Sequence, residues 1–309
     1  MDKDIYSQLM TVLSEEKIKI DEPMSMYTTF KIGGKADFLV SPGTIDEVVA
    51  VVSLCKSKEF PYYIIGNGSN LLVGDKGYRG VIIHISTQLS HVRIEKLESS
   101  DSYKVVAESG IMLSKLSHEI AINELTGFEF AAGIPGSLGG AITMNAGAYG
   151  GEMKDCVIGA TVIDETGNVI KLNKEQLNFG YRMSVIQKRG LIVLEVTFEF
   201  IKGNKEAILN TINDLNARRK DKQPLEYPSA GSTFKRPEGY FAGKLIMDSG
   251  LRGFRIGDIM VSMKHCGFVI NVGQGTAADV KKLIAHIDNT VYEKYGIHLE
   301  PEVRLIGEF

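Results

Sequence analysis

Long apolar runs are missing from this chain. No apolar stretch reaches the roughly 18 residues that a membrane helix needs, so membrane insertion is not expected. Cysteine is scarce. Cys55, Cys156 and Cys266 are odd in number, far apart and without metal-ligand spacing. That excludes a disulfide framework or a metal centre from the expectations and fits packed thiols in a reducing cytoplasm. No excess of one charge is present either: 35 basic against 38 acidic residues leave a net charge of −3. A broad nucleic-acid or membrane surface is therefore not expected, although a local basic pocket is compatible with it. Residues 1–19 mix charges and lack the apolar core of a signal peptide. The common nucleotide and hydrolase signatures are absent too. No Gly-Lys-Ser/Thr follows a glycine loop, no Gly-x-Gly-x-x-Gly opens a helix after a first strand, and no Gly-x-Ser-x-Gly elbow or evident His/Asp pair exists. What is present is the balance of a soluble globular protein, 44% hydrophobic and 24% charged over 309 residues, enough for two or three domains.

The order of local patterns reads as α+β. Thr44-Ile-Asp-Glu47 is a capping-box signature opening a helix with Val48, Val49, Val52 and Leu54 as its apolar positions. Strands are expected over residues 36–40, 62–65, 81–85 and 103–108, and a helix over 113–125 on Leu113, Leu116, Ile120 and Leu125. Residues 157–163 and 169–172 flank Asp164-Glu-Thr-Gly167, a hairpin signal. A long strand over 191–201 closes this part. A helix over 203–219 with Ile208, Leu209, Ile212 and Leu215 follows, ending in a basic cluster. The domain boundary is placed there, giving residues 1–202 and 203–309. The last helix should start at the cap Thr276 with Asp279 in its first turn and stop before Gly296. A final strand is expected over 302–306.

Glycine is where the sequence is most unusual. Seven glycines fall between Gly133 and Gly151, interleaved with Ile134, Leu138, Ile142 and Met144. A partly buried glycine-rich backbone either forms tight turns against a sheet or offers N–H donors at close range to a phosphate or flat heterocycle. Gly66-Asn-Gly-Ser-Asn70 follows a strand and suits either a diphosphate or a plain hairpin. Two such loops in one α+β unit together suggest a long ligand with a central diphosphate.

Three polar features stand out, the last of them a pair. Arg182, among Phe179, Tyr181 and Met183, is either a solvated arginine or a partly enclosed guanidinium needing an anionic partner. Ser232, in a turn of small residues followed by basic ones, is either a hydrogen-bonded turn serine or an oriented proton donor. Glu302 and Arg304 alternate on a strand and share a face, as a surface ion pair or as part of a site.

Taken in order, the pieces Thr28-Thr-Phe-Lys-Ile-Gly-Gly34, Gly66-Asn-Gly-Ser-Asn-Leu-Leu72, Ala132-Gly-Ile-Pro-Gly-Ser-Leu-Gly-Gly140, Asn145-Ala-Gly-Ala-Tyr-Gly150, Tyr181-Arg182, Ala230-Gly-Ser232 and Leu299-Glu-Pro-Glu-Val-Arg304 resemble the UDP-N-acetylenolpyruvoylglucosamine reductase (MurB) family. The resemblance covers nearly the whole chain and looks like the shorter branch, which lacks an extra tyrosine loop. It implies an FAD-binding fold of the vanillyl-alcohol-oxidase type, with two α+β subdomains, and a C-terminal α+β substrate domain whose last strand returns to the FAD domain. It implies non-covalent FAD held by Gly66, Asn67, Gly68, Ser69, Asn70 and Leu71 in the first loop. In the second run the implied contacts are Ala132, Gly133, Pro135, Gly136, Ser137, Gly139 and Gly140, then Asn145, Gly147 and Ala148.

The implied reaction reduces an enolpyruvyl ether of a UDP-sugar to a lactyl ether in the cytoplasmic synthesis of peptidoglycan precursors. Hydride passes from NADPH through the flavin N5 to the vinyl carbon. By the same resemblance Ser232 protonates the adjacent carbon, while Arg182 and Glu302 polarise the carboxylate, Glu302 as a protonated acid. Tyr181, Lys222 and Lys244 match the substrate side. Expected partners are the UDP-sugar and NADPH, with no nucleic acid, no membrane and a monomer compatible with the sequence. Two other readings keep the glycine loops: an FAD oxidase of the same fold acting on an alcohol or hydroxy acid, and a non-catalytic flavin or nucleotide-sugar binding protein.

Overall fold

A computed structural model describes residues 3–98 and 100–309. Residues 1 and 2, part of the segment read for a leader signal, lie outside them. The chain divides into two compact units. One comprises the segment ending at Lys19, Val40–Asn67 and Ile82–Arg219; the other comprises Ile20–Leu39, Gly68–Val81 and Lys220–Phe309.

The first unit is built on an antiparallel sheet in the order Val169–Asn173, Val157–Ile163, Ile192–Lys202, Ser102–Glu108, Val92–Lys96, with the short strand Leu125–Thr126 pairing with Ile192–Lys202. Val105, Ala107, Ala160, Val162, Val196 and Phe198 point from this sheet into a core shared with helix Leu113–Ile122 and helix Leu138–Thr143. Phe128 packs edge-on to Phe198 at 5.4 Å and to Phe130 at 5.6 Å, a geometry that adds to simple burial. Helix Ile45–Ser57 starts at Thr44, whose hydroxyl accepts from the Glu47 N–H. Only half of the expected capping box forms, because the Glu47 carboxylate accepts from Gly43 N and from Lys17.

Two expectations fail locally. The helix over 113–125 stops at Ile122, because Glu124 takes a left-handed φ of 60° and releases Leu125 into a strand. The Lys205–Lys222 helix begins two residues later than read, and of its apolar positions only Ile208 is fully buried.

The second unit has a four-stranded antiparallel sheet in the order Ser229–Ser232, Phe268–Asn271, Ile259–Val261, Arg255–Ile256. Helix Ala277–Tyr295 buries Ala277, Val280, Leu283, Ile287 and Val291 in the core of this unit. Its ends are as read: the Thr276 hydroxyl accepts from Asp279 N, and Gly296 closes it in the left-handed region. Arg304–Ile306 pairs in parallel with Leu71–Val73. The final strand is shorter than expected. It begins at Arg304, so Glu302 precedes it instead of sharing its face.

Among the described residues no helix is long and apolar enough to cross a membrane. The three cysteines are free thiols in the interior. Burial raises Cys55 to about 11 and Cys156 to about 12, so both stay protonated. His84, at the end of strand Tyr78–His84, is pushed down from 6.5 to about 4, first by burial and then by the Lys19 charge. Between those two values the unfolded chain binds the extra proton, so stability should fall as pH drops through this window, by up to about 1.4 kcal/mol per pH unit. Thermal unfolding across this range should show a steeper loss for the wild type than for His84→Gln. Parallel curves would remove His84 as the cause.

Candidate active site

Strand Tyr62–Ile65 delivers the chain into the first glycine loop. There the two glycine runs touch. An ideal Cβ on Gly66 would lie 2.0 Å from Ser137 Oγ, so any side chain there would have to displace that hydroxyl. Asn67 Nδ2 donates to the Pro135 carbonyl at 2.8 Å. The second run is anchored by Leu138 and Ile142, both fully buried in helix Leu138–Thr143; each such side chain contributes about 1.5–3 kcal/mol.

Much of this backbone is already satisfied. Gly136 N donates to Ile134 O, Leu138 N to Ile111 O and Gly139 N to Ser109 O, at 2.8–2.9 Å. The run therefore offers a ligand fewer N–H donors than its glycine count suggests. Gly140 differs: it is exposed, and the heavy atom nearest its ideal Cβ is Ser137 Oγ at 3.8 Å, so the fold itself leaves room for a side chain. Beyond it, Gly147–Ala148 and Gly151–Glu152 form a small hairpin, with Tyr149 and Gly150 at φ 54° and 91° as a tight two-residue turn requires.

Asn145 is 1% exposed. Its Nδ2 donates to Glu152 Oε2 and to Gly180 O, both at 2.9 Å, and its Oδ1 accepts from Lys154 N at 3.0 Å. The side chain is thus engaged inside the protein. Arg182 sits in a tight turn in which Gly180 and Met183 exchange backbone hydrogen bonds, and its φ is 53°. Its Nη2 donates to Gly147 O at 3.4 Å, and its guanidinium lies 5.6 Å from the centre of the Tyr181 ring. The neighbouring Glu152 carboxylate is held below its ordinary range by Lys154 first, at 2.8 Å, with Asn145 and the Arg182 charge adding to this. Arg219 is a residue the sequence reading missed. Its Cδ lies 3.1 Å from an ideal Cβ on Gly133, beside the second glycine run. Burial lowers its pKa, opposed by Tyr149.

Ser232 is aimed by a bulge. Ser229 pairs with Ile270 and Ser232 with Phe268, so strand Ser229–Ser232 holds one residue more than its partner over that interval. Gly231 takes a left-handed φ of 75° there, the usual device for absorbing an extra residue. The bulge breaks simple alternation. Ala230 and Thr233 are both buried and Ser232 is exposed. The Thr233 carbonyl accepts from Glu302 N at 2.8 Å, and the Glu302 carbonyl accepts from Asn70 Nδ2 at 3.1 Å. Ser69 O is the atom nearest to an ideal Cβ on Gly231, at 4.0 Å. The structure thus gathers Ser69, Asn70, Ser232 and Glu302 in one unit, and Asn145, Gly147, Tyr181 and Arg182 in the other.

The remaining candidates are on the surface. Tyr181 is 54% exposed. Lys222 ends the helix Lys205–Lys222 and is exposed. Lys244 pairs with Asp248 at 2.7 Å on one face of helix Ala242–Asp248, so a substrate phosphate would have to compete with that carboxylate. Arg236 stacks over the Phe241 ring at 3.9 Å.

Two family descriptions match separate stretches: an FAD binding domain over residues 36–173 and the C-terminal domain of UDP-N-acetylenolpyruvoylglucosamine reductase over residues 223–306. The UDP-N-acetylenolpyruvoylglucosamine reductase of Lachnoclostridium phytofermentans is 54% identical over 308 residues, covering 100% of this chain and 99% of that one. The chain belongs to the UDP-N-acetylenolpyruvoylglucosamine reductase (MurB) family. The crystal structure of the MurB protein from Thermus caldophilus superposes with a TM-score of 0.79 at 34% identity, over 94% of this chain and 100% of that one. An alkyldihydroxyacetonephosphate synthase structure shares the fold alone, with a TM-score of 0.50 at 14% identity over 65% of this chain and 41% of that one. The fold is the FAD-binding fold of the vanillyl-alcohol-oxidase type with an added substrate-binding domain. As a MurB reductase the chain is an FAD-dependent oxidoreductase, and its reaction converts the enolpyruvyl ether of UDP-N-acetylglucosamine to UDP-N-acetylmuramate, a step of peptidoglycan synthesis.

Proposed function

We propose that this reduction draws its hydride from NADPH and that Arg182, Ser232 and Glu302 are the groups acting on the substrate. Residues 1–202 serve as the cofactor domain and 203–309 as the substrate domain. The observation that carries the reading is the bulge at Gly231, which turns the Ser232 hydroxyl outward next to Thr233, whose carbonyl holds the Glu302 N–H.

The residues present fit FAD. Gly66 and Ser137 meet so closely that a side chain at Gly66 would displace the serine hydroxyl, Asn67 ties the two runs together, and Gly140 leaves open the volume where a side chain would stand. Gly66, Asn67, Gly68, Ser69, Asn70 and Leu71, with Ala132, Gly133, Pro135, Gly136, Ser137, Gly139, Gly140, Asn145, Gly147 and Ala148, would hold the cofactor. When bound, FAD supplies hydride transfer from NADPH to the vinyl carbon.

The chain's own groups then handle charge and proton. A guanidinium beside the substrate carboxylate stabilises the negative charge that develops there, because a fixed cation in a water-poor site needs no reorganisation during the reaction. Glu302 assists as a neutral acid donating a hydrogen bond; ionised, it would oppose that charge. Ser232 gives its proton to the carbon next to the carboxylate. Tyr181, Lys222 and Lys244 face the sugar nucleotide, the lysines as mobile point charges for its diphosphate.

Anaerobic mixing of the FAD-loaded protein with NADPH should bleach the flavin. Adding the enolpyruvyl sugar nucleotide should restore the yellow colour without oxygen. Glu302→Gln should slow the second step about 10²-fold and leave the first unchanged. Recovery of colour by air but not by the sugar nucleotide would identify an oxidase, no bleaching a binding protein, and a full-rate Glu302→Gln would refute the acid role of Glu302.

A further inference from the structure

Three rungs join the second glycine run to the turn that carries Arg182. Ser184 Oγ donates to Thr143 O at 2.7 Å, Asn145 Nδ2 donates to Gly180 O at 2.9 Å, and Arg182 Nη2 donates to Gly147 O at 3.4 Å. Residues 143, 145 and 147 on one side thus meet 184, 180 and 182 on the other. We propose that Ser184 and Asn145 are positioning residues for Arg182, holding the guanidinium at a fixed place relative to the glycine run. The inference rests on the assignment of Arg182 to the substrate carboxylate.

Two features set this ladder apart from ordinary packing. Ser184 is the N-cap of helix Val185–Arg189 and has cap backbone angles (φ −146°, ψ 172°), yet its side chain makes no capping bond. A serine there ordinarily accepts from the first turn of its own helix. Here the hydroxyl donates instead to Thr143, the last residue of helix Leu138–Thr143, and Ser184 is fully buried. The capping bond is given up for a link across 41 residues of sequence.

Asn145 in turn has no freedom to flip its amide. Its oxygen must accept from Lys154 N–H, and its nitrogen must donate to a carboxylate and a carbonyl. That fixes the Gly180 carbonyl, the first residue of a turn whose third residue, Arg182, stands in a region unfavourable to non-glycine residues. Such a conformation persists only where the surroundings over-determine it. Without the rungs, the turn would relax and carry Arg182 with it.

Rapid-mixing kinetics on the FAD-loaded enzyme separate this from general scaffolding. Ser184→Ala should slow oxidation by the sugar nucleotide about tenfold, the equivalent of one lost hydrogen bond, and leave reduction by NADPH and FAD content unchanged. Ser184→Cys keeps a side chain of similar size but offers the Thr143 carbonyl only a weak donor; it should show the same selective loss and decides the matter should Ser184→Ala fold poorly. The deciding measurement is Ser184→Ala made on top of Arg182→Met. A positioning residue acts through the guanidinium, so it should have no further effect there. A full additional tenfold loss, or equal losses in both half-reactions, overturns the proposal. If Arg182→Met alone leaves oxidation by the sugar nucleotide at the wild-type rate, the assignment of Arg182 is what fails.

Discussion

Ser232→Ala should slow oxidation of the flavin by the enolpyruvyl sugar nucleotide about 10³-fold, in the middle of the range for a positioned proton donor, while reduction by NADPH proceeds at the wild-type rate. The asymmetry follows from chemistry: only the sugar nucleotide needs a proton on carbon. The structure makes the variant a clean one. Ser232 is exposed, so removing its oxygen leaves no interior cavity, and strand Ser229–Ser232 keeps its pairing and its bulge. The two half-reactions are followed separately by flavin absorbance under anaerobic conditions. Equal loss in both would indicate damage to the fold or to cofactor binding, and no loss in the second would remove Ser232 from the mechanism.

Gly140→Leu should weaken FAD binding about 100-fold while leaving the apoprotein as stable as before, or more so. Gly140 lies inside helix Leu138–Thr143, and its ideal Cβ has 3.8 Å to its nearest neighbour. Leucine in place of a helical glycine contributes up to about 1 kcal/mol through backbone entropy. The same side chain would occupy the space assigned to the cofactor, and overpacking costs about 1–3 kcal/mol, the source of the affinity loss. Gly66→Ala is the contrasting case, because its Cβ would strike Ser137 Oγ at 2.0 Å and the protein itself must yield. Thermal unfolding of the apoproteins and fluorescence titration with FAD separate the two kinds of glycine. Wild-type affinity in Gly140→Leu would strike this residue from the cofactor contacts.

The elements whose signals are local were legible. Helices Ile45–Ser57 and Ala277–Tyr295 announce themselves by threonine caps and apolar periodicity, and the hairpin from Val157 to Asn173 by its Asp-Glu-Thr-Gly turn. The strands of the second unit's four-stranded sheet were not legible, being two to four residues long, too short to show alternation. Val92–Lys96 was missed although Val92 and Ile94 alternate with Arg93 and Glu95 and pack half-buried against the core, because two apolar positions in five residues are a weak signal. Leu125 fits a helical period, but the backbone conformation of Glu124 decides its fate, and no side-chain pattern encodes that. At the site, motif residues could be named from the resemblance, but their arrangement could not. The bulge at Gly231 looks like any small-residue turn in sequence. The ladder from Thr143 to Gly147 joins residues 35 to 41 positions away, where no local pattern can point.

The bond between Asn70 and Glu302 closes a separation of 232 residues. Closing so long a loop costs little more than closing one of half that length, about 0.6 kcal/mol per doubling, so its effect on equilibrium is slight. Its effect on timing is larger, since contacts distant along the chain form only after the intervening segments have found their places. With Glu302 in the role proposed above, turnover during refolding should first appear only once the contact between Asn70 and Glu302 has formed.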